Sequence, residues 1–252
     1  MIGRLPTAAA CGCAILGITA VHAQMPPSPA PVVVDVEQGS LSGDSSSGVN
    51  IFRGIPYAAP PVGPLRWKPP QPVPAWRGIR TATANEPACA QPVDPDPSVP
   101  NFGGVQGAQS EDCLYLTLFA PANAKGAPVV VWLHGGAYFL GAGSLGSYDG
   151  SANARDGVIT VDVNYRLGSM ANFTHPALVA EGDEEGTGNY ALMDTGAALE
   201  WVRDNIAAFG GDPSNVTVAG QSAGGGLVTG LLSLPAAKGL YHKAVIQSGS
   251  LL

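Results

Sequence analysis

Apolar residues in this chain gather into short runs separated by glycine and proline, and the period of each run predicts its element. Residues 32–37 and 49–53 read as two short strands around a Gly/Ser turn. Prolines recur every few residues from 54 to 76, which excludes a ladder strand and predicts extended chain packed by Tyr57, Trp67 and Trp76. Residues 113–119 form a strand that ends at Pro121. Residues 128–133 are an unbroken apolar run, the pattern of a strand buried on both faces, and 158–163 are another. Between them, 135–156 mix glycine, serine and other small residues. From 189 to 209 the period changes to helical: Leu192, Leu199, Val202, Ile206 and Phe209 share one stripe, and Gly210-Gly211 ends it. A β-like run at 215–219 follows, then a helix over 223–234 stopped by Pro235, then a strand at 243–247. Strands alternating with helices predict one α/β domain, a mostly parallel central sheet with flanking helices.

Composition narrows the setting. The chain has 252 residues, 45% hydrophobic and 12% charged, enough to bury a sizeable core. Net charge is −7 with no Lys/Arg cluster, which argues against nucleic acid or an anionic membrane as partner. Residues 1–23 read as an export signal: Arg4, an apolar stretch from Ala8 to Val21, and a small-x-small site at Val21-His22-Ala23. The apolar stretch is short for a membrane span, so no anchor is expected after cleavage and the protein is expected to be secreted or periplasmic. Residues 24–31 form a Pro-rich leader. Cys11 and Cys13 leave with the signal, and the remaining pair, Cys89 and Cys113, is expected to form a disulfide in an oxidising compartment. Closing that loop stabilises by about 3.5 kcal/mol in the chain-entropy account. The segment inside is rich in proline and glycine, and a covalent tie suits it.

Two motifs carry candidate chemistry. Gly220-Gln221-Ser222-Ala223-Gly224 follows the β-like run and opens the 223–234 helix, the setting of a nucleophile elbow. Such a turn pushes a serine hydroxyl out of the top of a sheet, with glycines where a Cβ would collide. His134-Gly135-Gly136-Ala137-Tyr138 ends the 128–133 strand. Backbone N–H groups of small residues in such a loop can approach the negative oxygen of a tetrahedral intermediate. Each motif alone is more simply a glycine turn. Both together, in this order and each after a buried strand, point to acyl transfer.

Longer stretches make the resemblance specific. Residues 52–58 (Phe52 to Ala58), Pro64-Leu65-Arg66-Trp67, residues 110–116 (Ser110 to Leu116), Asn164-Tyr165-Arg166-Leu167-Gly168, residues 188–194, 209–213 and 247–250 are similar to signatures of the type B carboxylesterase family. The resemblance runs from about Val32 to the last residue and implies an α/β-hydrolase fold. It implies that Ser222 is the nucleophile, that the N–H groups of Gly136, Ala137 and Ala223 form the oxyanion hole, and that Cys89 pairs with Cys113. It further implies internal ion pairs Arg66–Glu111 and Arg166–Asp194, a small-molecule carboxylic ester as substrate, and neither cofactor nor metal. Gln221 stands where the family most often has glutamate, with little effect expected, and residues 169–173 depart from the family's usual Gly-Phe pattern. The Cys89–Cys113 loop holds only Phe102 as an aromatic, which disfavours choline esters.

The family order is Ser, then Asp/Glu, then His, yet from Ala223 to Leu252 there is no acid and the one histidine is His242, just before a strand. His134 belongs to the oxyanion loop, His175 precedes Pro176 in a surface-like segment, and Asp183, Glu184 and Glu185 read as a solvated acidic loop. Family members are about twice this length. Residues 32–252 therefore read as the N-terminal part of a carboxylesterase domain, truncated after the elbow and the next strand. The triad acid and histidine are not in this chain, which is expected to be inactive alone. The alternative is a non-catalytic binding or adhesion member of the same fold; oligomeric state has no signal in the sequence.

Overall fold

A computed structural model describes residues 31–93, 96, 104, 105, 107–181 and 186–249. The export signal, nearly all of the leader, Phe102, the acidic run 183–185 and Ser250 lie outside the described residues. In chain order the elements are β1 (Val32–Val36), β2 (Gly39–Ser46), β3 (Val49–Pro56), β4 (Ile79–Thr81), β5 (Ala88–Cys89), β6 (Gln109–Ser110), β7 (Tyr115–Pro121) and β8 (Ala127–Leu133). They continue with α1 (Ser151–Arg155), β9 (Ile159–Val163), α2 (Pro176–Ala180), α3 (Tyr190–Asn205), β10 (Gly211–Gln221), α4 (Ala223–Ser233) and β11 (Lys243–Gln247).

The main sheet runs β1-β2-β3-β7-β9-β8-β10-β11, with β4 beside β2. It is mixed. The β9-β8-β10-β11 half is parallel, as the alternation of elements predicts, while β1, β2, β3, β7 and β9 pair antiparallel in succession. The sequence reading of a Gly/Ser turn between the first two strands is corrected here: Gly39–Ser46 is itself a strand. Its small polar residues carry no strand signal, but Leu41, fully buried and opposite Val34, anchors the register. The second correction concerns β8. Val129, Val131 and Leu133 are fully buried, whereas Val130 and Trp132 are half-buried and Pro128 is exposed. The strand buried on both faces is β9.

Register positions the loops that matter. Leu133 at the end of β8 lies opposite Gly220 on β10 and Val163 on β9. Parallel strands in register deliver their C-terminal ends to one edge of the sheet, where α/β proteins bind ligands. Residues 134–138, 164–168 and 221–223 therefore emerge side by side. The α3 stripe packs as expected, with Leu199, Val202 and Ile206 fully buried. The chain leaves it through Gly210 at φ 82°, a left-handed stop.

Candidate functional site

At the elbow, glycine is required by space. A Cβ on Gly220 would meet the backbone of Gly224, and one on Gly224 would meet the carbonyl oxygens of Leu133 and His134. The first turn of α4 can therefore sit directly on the end of β8. Ser222 takes φ 54° and ψ −120°, a conformation costly for a residue with a side chain. It is held there by two hydrogen bonds: its N–H donates to Gln247 O at 2.8 Å, and its carbonyl accepts from Gly226 N at 2.9 Å.

The loop after β8 is as constrained. Gly136 has φ 118°, and a Cβ there would collide with Leu140 O. Ala137 and Tyr138 are both left-handed, at φ 51° and 65°. Phe139 N and Leu140 N donate to Gly136 O at 3.0 and 3.1 Å, closing the turn. A Cβ placed on Gly135 would lie 3.2 Å from Ser222 Cβ and 2.6 Å from Gln221 Oε1, so this loop and the elbow are in contact. The backbone N–H groups of Gly136, Ala137 and Ala223 donate to no acceptor among the described residues. The structure thus brings together the elbow serine and the small-residue loop. No described side chain hydrogen-bonds to Ser222 Oγ.

The histidines are engaged elsewhere. His134 is buried, 1% exposed, and its Nδ1 lies 2.7 Å from Gly135 O. Burial holds its pKa down at about 4, against a weaker raising effect of the Gly135 carbonyl. His175 caps α2, its Nδ1 accepting from Ala177 N at 3.1 Å. His242 Nδ1 accepts from Val216 N at 3.2 Å while its own N–H donates to Val216 O at 2.8 Å, which ties it into β10.

Cys89 and Cys113 form the disulfide, with Cα atoms 4.9 Å apart. Arg166–Asp194 is a buried ion pair, Nη2–Oδ1 2.7 Å and Nε–Oδ2 2.9 Å, with Arg166 N also donating to Oδ2. It joins the 164–168 loop to α3. Arg66–Glu111, expected as an internal pair, is instead a surface contact at 2.7 Å, with side chains 41% and 26% exposed.

Two positioning residues escaped the sequence reading. Tyr165 donates from its hydroxyl to His134 O at 2.5 Å, and its ring stacks on the imidazole at 4.3 Å. Gln91 clamps the return of the loop: its Nε2 donates to Gly141 O and its Oε1 accepts from Gly141 N, both at 2.9 Å. Neither contact has a local sequence signal, because each partner is more than 30 residues away.

The profile described as Carboxylesterase family matches residues 30–252. The chain belongs to the carboxylesterase family. Para-nitrobenzyl esterase of Bacillus subtilis (strain 168) is 48% identical over 221 residues, covering 86% of this chain and 44% of that protein. Fumonisin B1 esterase of Sphingopyxis macrogoltabida is 40% identical, covering 94% of this chain and 43% of that protein. Among solved structures, a PNB esterase superposes with a TM-score of 0.76 at 47% identity, covering 86% of this chain and 44% of that one. The chain thus spans less than half the length of these relatives. The likeness bears out the α/β-hydrolase fold.

Proposed function

We propose that this protein is a carboxylic ester hydrolase that works through an acyl-enzyme on Ser222. The observation that carries the reading is the strained serine at φ 54°, in contact with a loop whose Gly136 and Ala137 N–H groups have no acceptor among the described residues. Ser222 Oγ attacks the ester carbonyl carbon, and its proton passes to a base. The carbonyl oxygen becomes an oxyanion that accepts hydrogen bonds from Gly136, Ala137 and Ala223 N–H. Collapse expels the alcohol, which takes up a proton, and water then releases the acid from the acyl-serine. All described histidines are bonded elsewhere. The base and its carboxylate are therefore assigned to residues outside this span, and residues 24–252 alone are expected to be inactive.

A binding role in place of catalysis would not need the backbone cost of the elbow. Small carboxylic esters fit the names of the relatives, which are esterases. Residues 1–23 are assigned to an export signal and 24–31 to a leader, and the Cys89–Cys113 disulfide supports an oxidising destination. Among the described residues no helix is long and apolar enough to cross a membrane.

A fluorophosphonate probe and a chromogenic p-nitrophenyl ester test the proposal on the full-length protein. Wild type is expected to label at Ser222 and to hydrolyse the ester. Ser222→Ala is expected to lose labelling and to lower kcat by about 10⁶-fold, to the residual left when a triad member is removed. Hydrolysis that survives Ser222→Ala unchanged would overturn the assignment.

A further inference from the structure

We propose that His134 is a positioning residue whose Nδ1–H, donated to Gly135 O, sets the direction of the Gly136 N–H that receives the oxyanion. The inference rests on the reading of that N–H as part of the oxyanion hole.

The hydrogen bond fixes the tautomer. Gly135 O is only an acceptor, so at 2.7 Å the imidazole Nδ1 must carry the proton. His134 Nε2, buried and without a partner among the described residues, is then a bare lone pair. This leaves the ring neutral, in agreement with a pKa held near 4 by burial.

The peptide joining Gly135 to Gly136 is planar and trans, so its C=O and N–H point in opposite directions. Holding the oxygen against the imidazole turns the Gly136 N–H away from it. Without that bond a Gly-Gly peptide could rotate at little cost, because glycine accepts nearly every backbone conformation. A loop that rotates offers its donor to the oxyanion only part of the time.

The imidazole itself has little freedom. Tyr165 stacks on it with ring planes 12° apart and holds His134 O at 2.5 Å, so two successive carbonyls, His134 O and Gly135 O, are both fixed. Gly141 closes the other side: a Cβ there would lie 2.5 Å from Nδ1. Gln91 in turn holds Gly141 through both of its backbone groups. The disulfide-closed segment, through Gln91, and the segment after β9, through Tyr165, thus converge on one ring, and that ring aims one N–H.

The test is a pair of substitutions in the full-length protein, read by kcat and KM on a p-nitrophenyl ester beside the thermal midpoint. His134→Phe keeps a flat stacking ring and removes the donor. Its kcat is expected to fall about 10–100-fold with KM within about threefold, somewhat less than the 10²–10³ for deleting an oxyanion donor outright. His134→Asn places an amide N–H where Nδ1 stood and is expected to recover most of kcat. A merely structural role would order the variants by thermal midpoint instead, with Asn, which loses the ring, the worse of the two.

Retention of wild-type kcat by His134→Phe overturns the inference, as does an equal loss in both variants. Should His134→Phe fail to fold, Tyr165→Phe serves, since it removes only the hydroxyl that holds His134 O. It is expected to lower kcat about 3–10-fold at constant KM, by the same relation of geometry to rate; no change in kcat overturns the inference. Wild-type hydrolysis that does not depend on Ser222 overturns the site reading itself, and the Ser222→Ala control reports that case separately.

Discussion

Glycine in this chain does two opposite jobs, and the structure tells them apart residue by residue. Gly224 lies where the first turn of α4 rests on Leu133 O, and a Cβ there would meet backbone on the neighbouring strand. Backbone cannot step aside as a long side chain can, so β8 and α4 would have to separate. Gly224→Ala is expected to destabilise by about 1–3 kcal/mol, the range of overpacking in a closed core, and to abolish probe labelling at Ser222. Gly196 sits in the middle of α3 with open space around its Cα and no positive φ. Gly196→Ala is expected to stabilise by about 1 kcal/mol, because alanine costs less backbone entropy in a helix. Chemical denaturation of the two variants checks both signs. Gly196→Ala without a stabilising shift would show that the helix interior has a constraint the local space does not reveal. The serine between these constraints was legible from five residues of sequence. His134, by contrast, was legible only as a member of its loop, because its role depends on Tyr165 and Gly141, which the fold supplies.

Among the elements, β9 departs most from what its pattern implies. The run at 158–163 reads as a strand buried on both faces, and it is one, parallel to β8 and antiparallel to β7. Yet Asp162 near its C-terminal end is 2% exposed with no hydrogen-bond partner for either carboxylate oxygen among the described residues. It borders a cavity of about 200 Å³ lined also by Arg53, Thr117, Tyr148 and Asp149. Burial pushes the Asp162 carboxyl well above its ordinary pKa, and the negative charge of Asp149 pushes in the same direction. Arg53, the cation on that wall, lies 3.4 Å from Asp44 and also draws Asp149 down. With its pKa raised on folding, Asp162 binds its proton more tightly in the native state than in the unfolded chain. Stability from this group is therefore full below the unfolded value near 3.8 and declines as pH rises toward the folded value. Asp162→Asn removes that decline. The thermal midpoint is expected to rise by about 5 °C at pH 8 and to change little at pH 4, since an uncompensated buried polar group costs roughly 1–3 kcal/mol. An equal shift at both pH values would show that Asp162 is not titrating. The same element scale shows where the sequence was hard to read. Hydrophobic period located β7, β8, β9, β10 and the long α3, whose stability comes from burying an apolar face. It missed β2, whose serines and glycines are held in the ladder by its neighbours β1, β3 and β4, and it could not show that half the sheet runs antiparallel. Pairing partners distant in sequence decide those features.

At the scale of the whole molecule, the sheet ends in β1 far from the site and in β11 beside it. Toward β1 it runs through antiparallel strands, with β4 paired beside β2. At the other end β11 is the last strand, and all five of its residues are exposed, with Val245 at 42% and Ile246 at 40%. Leu232 on the adjoining α4 is 55% exposed. An apolar strand beside the elbow, paired on one side only among the described residues, is a template for adding another strand. In relatives about twice this length there is chain enough to supply one. Residues 24–252 expressed alone should instead satisfy that edge with copies of themselves and sediment as heterogeneous oligomers at concentrations on the order of micromolar, where unpaired edges associate. Ile246→Lys places a charge on the exposed edge and is expected to raise the monomer fraction severalfold in sedimentation velocity, without moving the thermal midpoint of the parallel core. Monomeric behaviour of the unmodified span would mean that the β11 edge is closed by something else within it. The elbow lies beside that edge, with Ser222 N held by Gln247 O at the end of β11. On the proposed reading of Ser222 as the nucleophile, a strand added at this edge would also steady the serine, and strand addition and probe labelling at Ser222 should be lost or gained together.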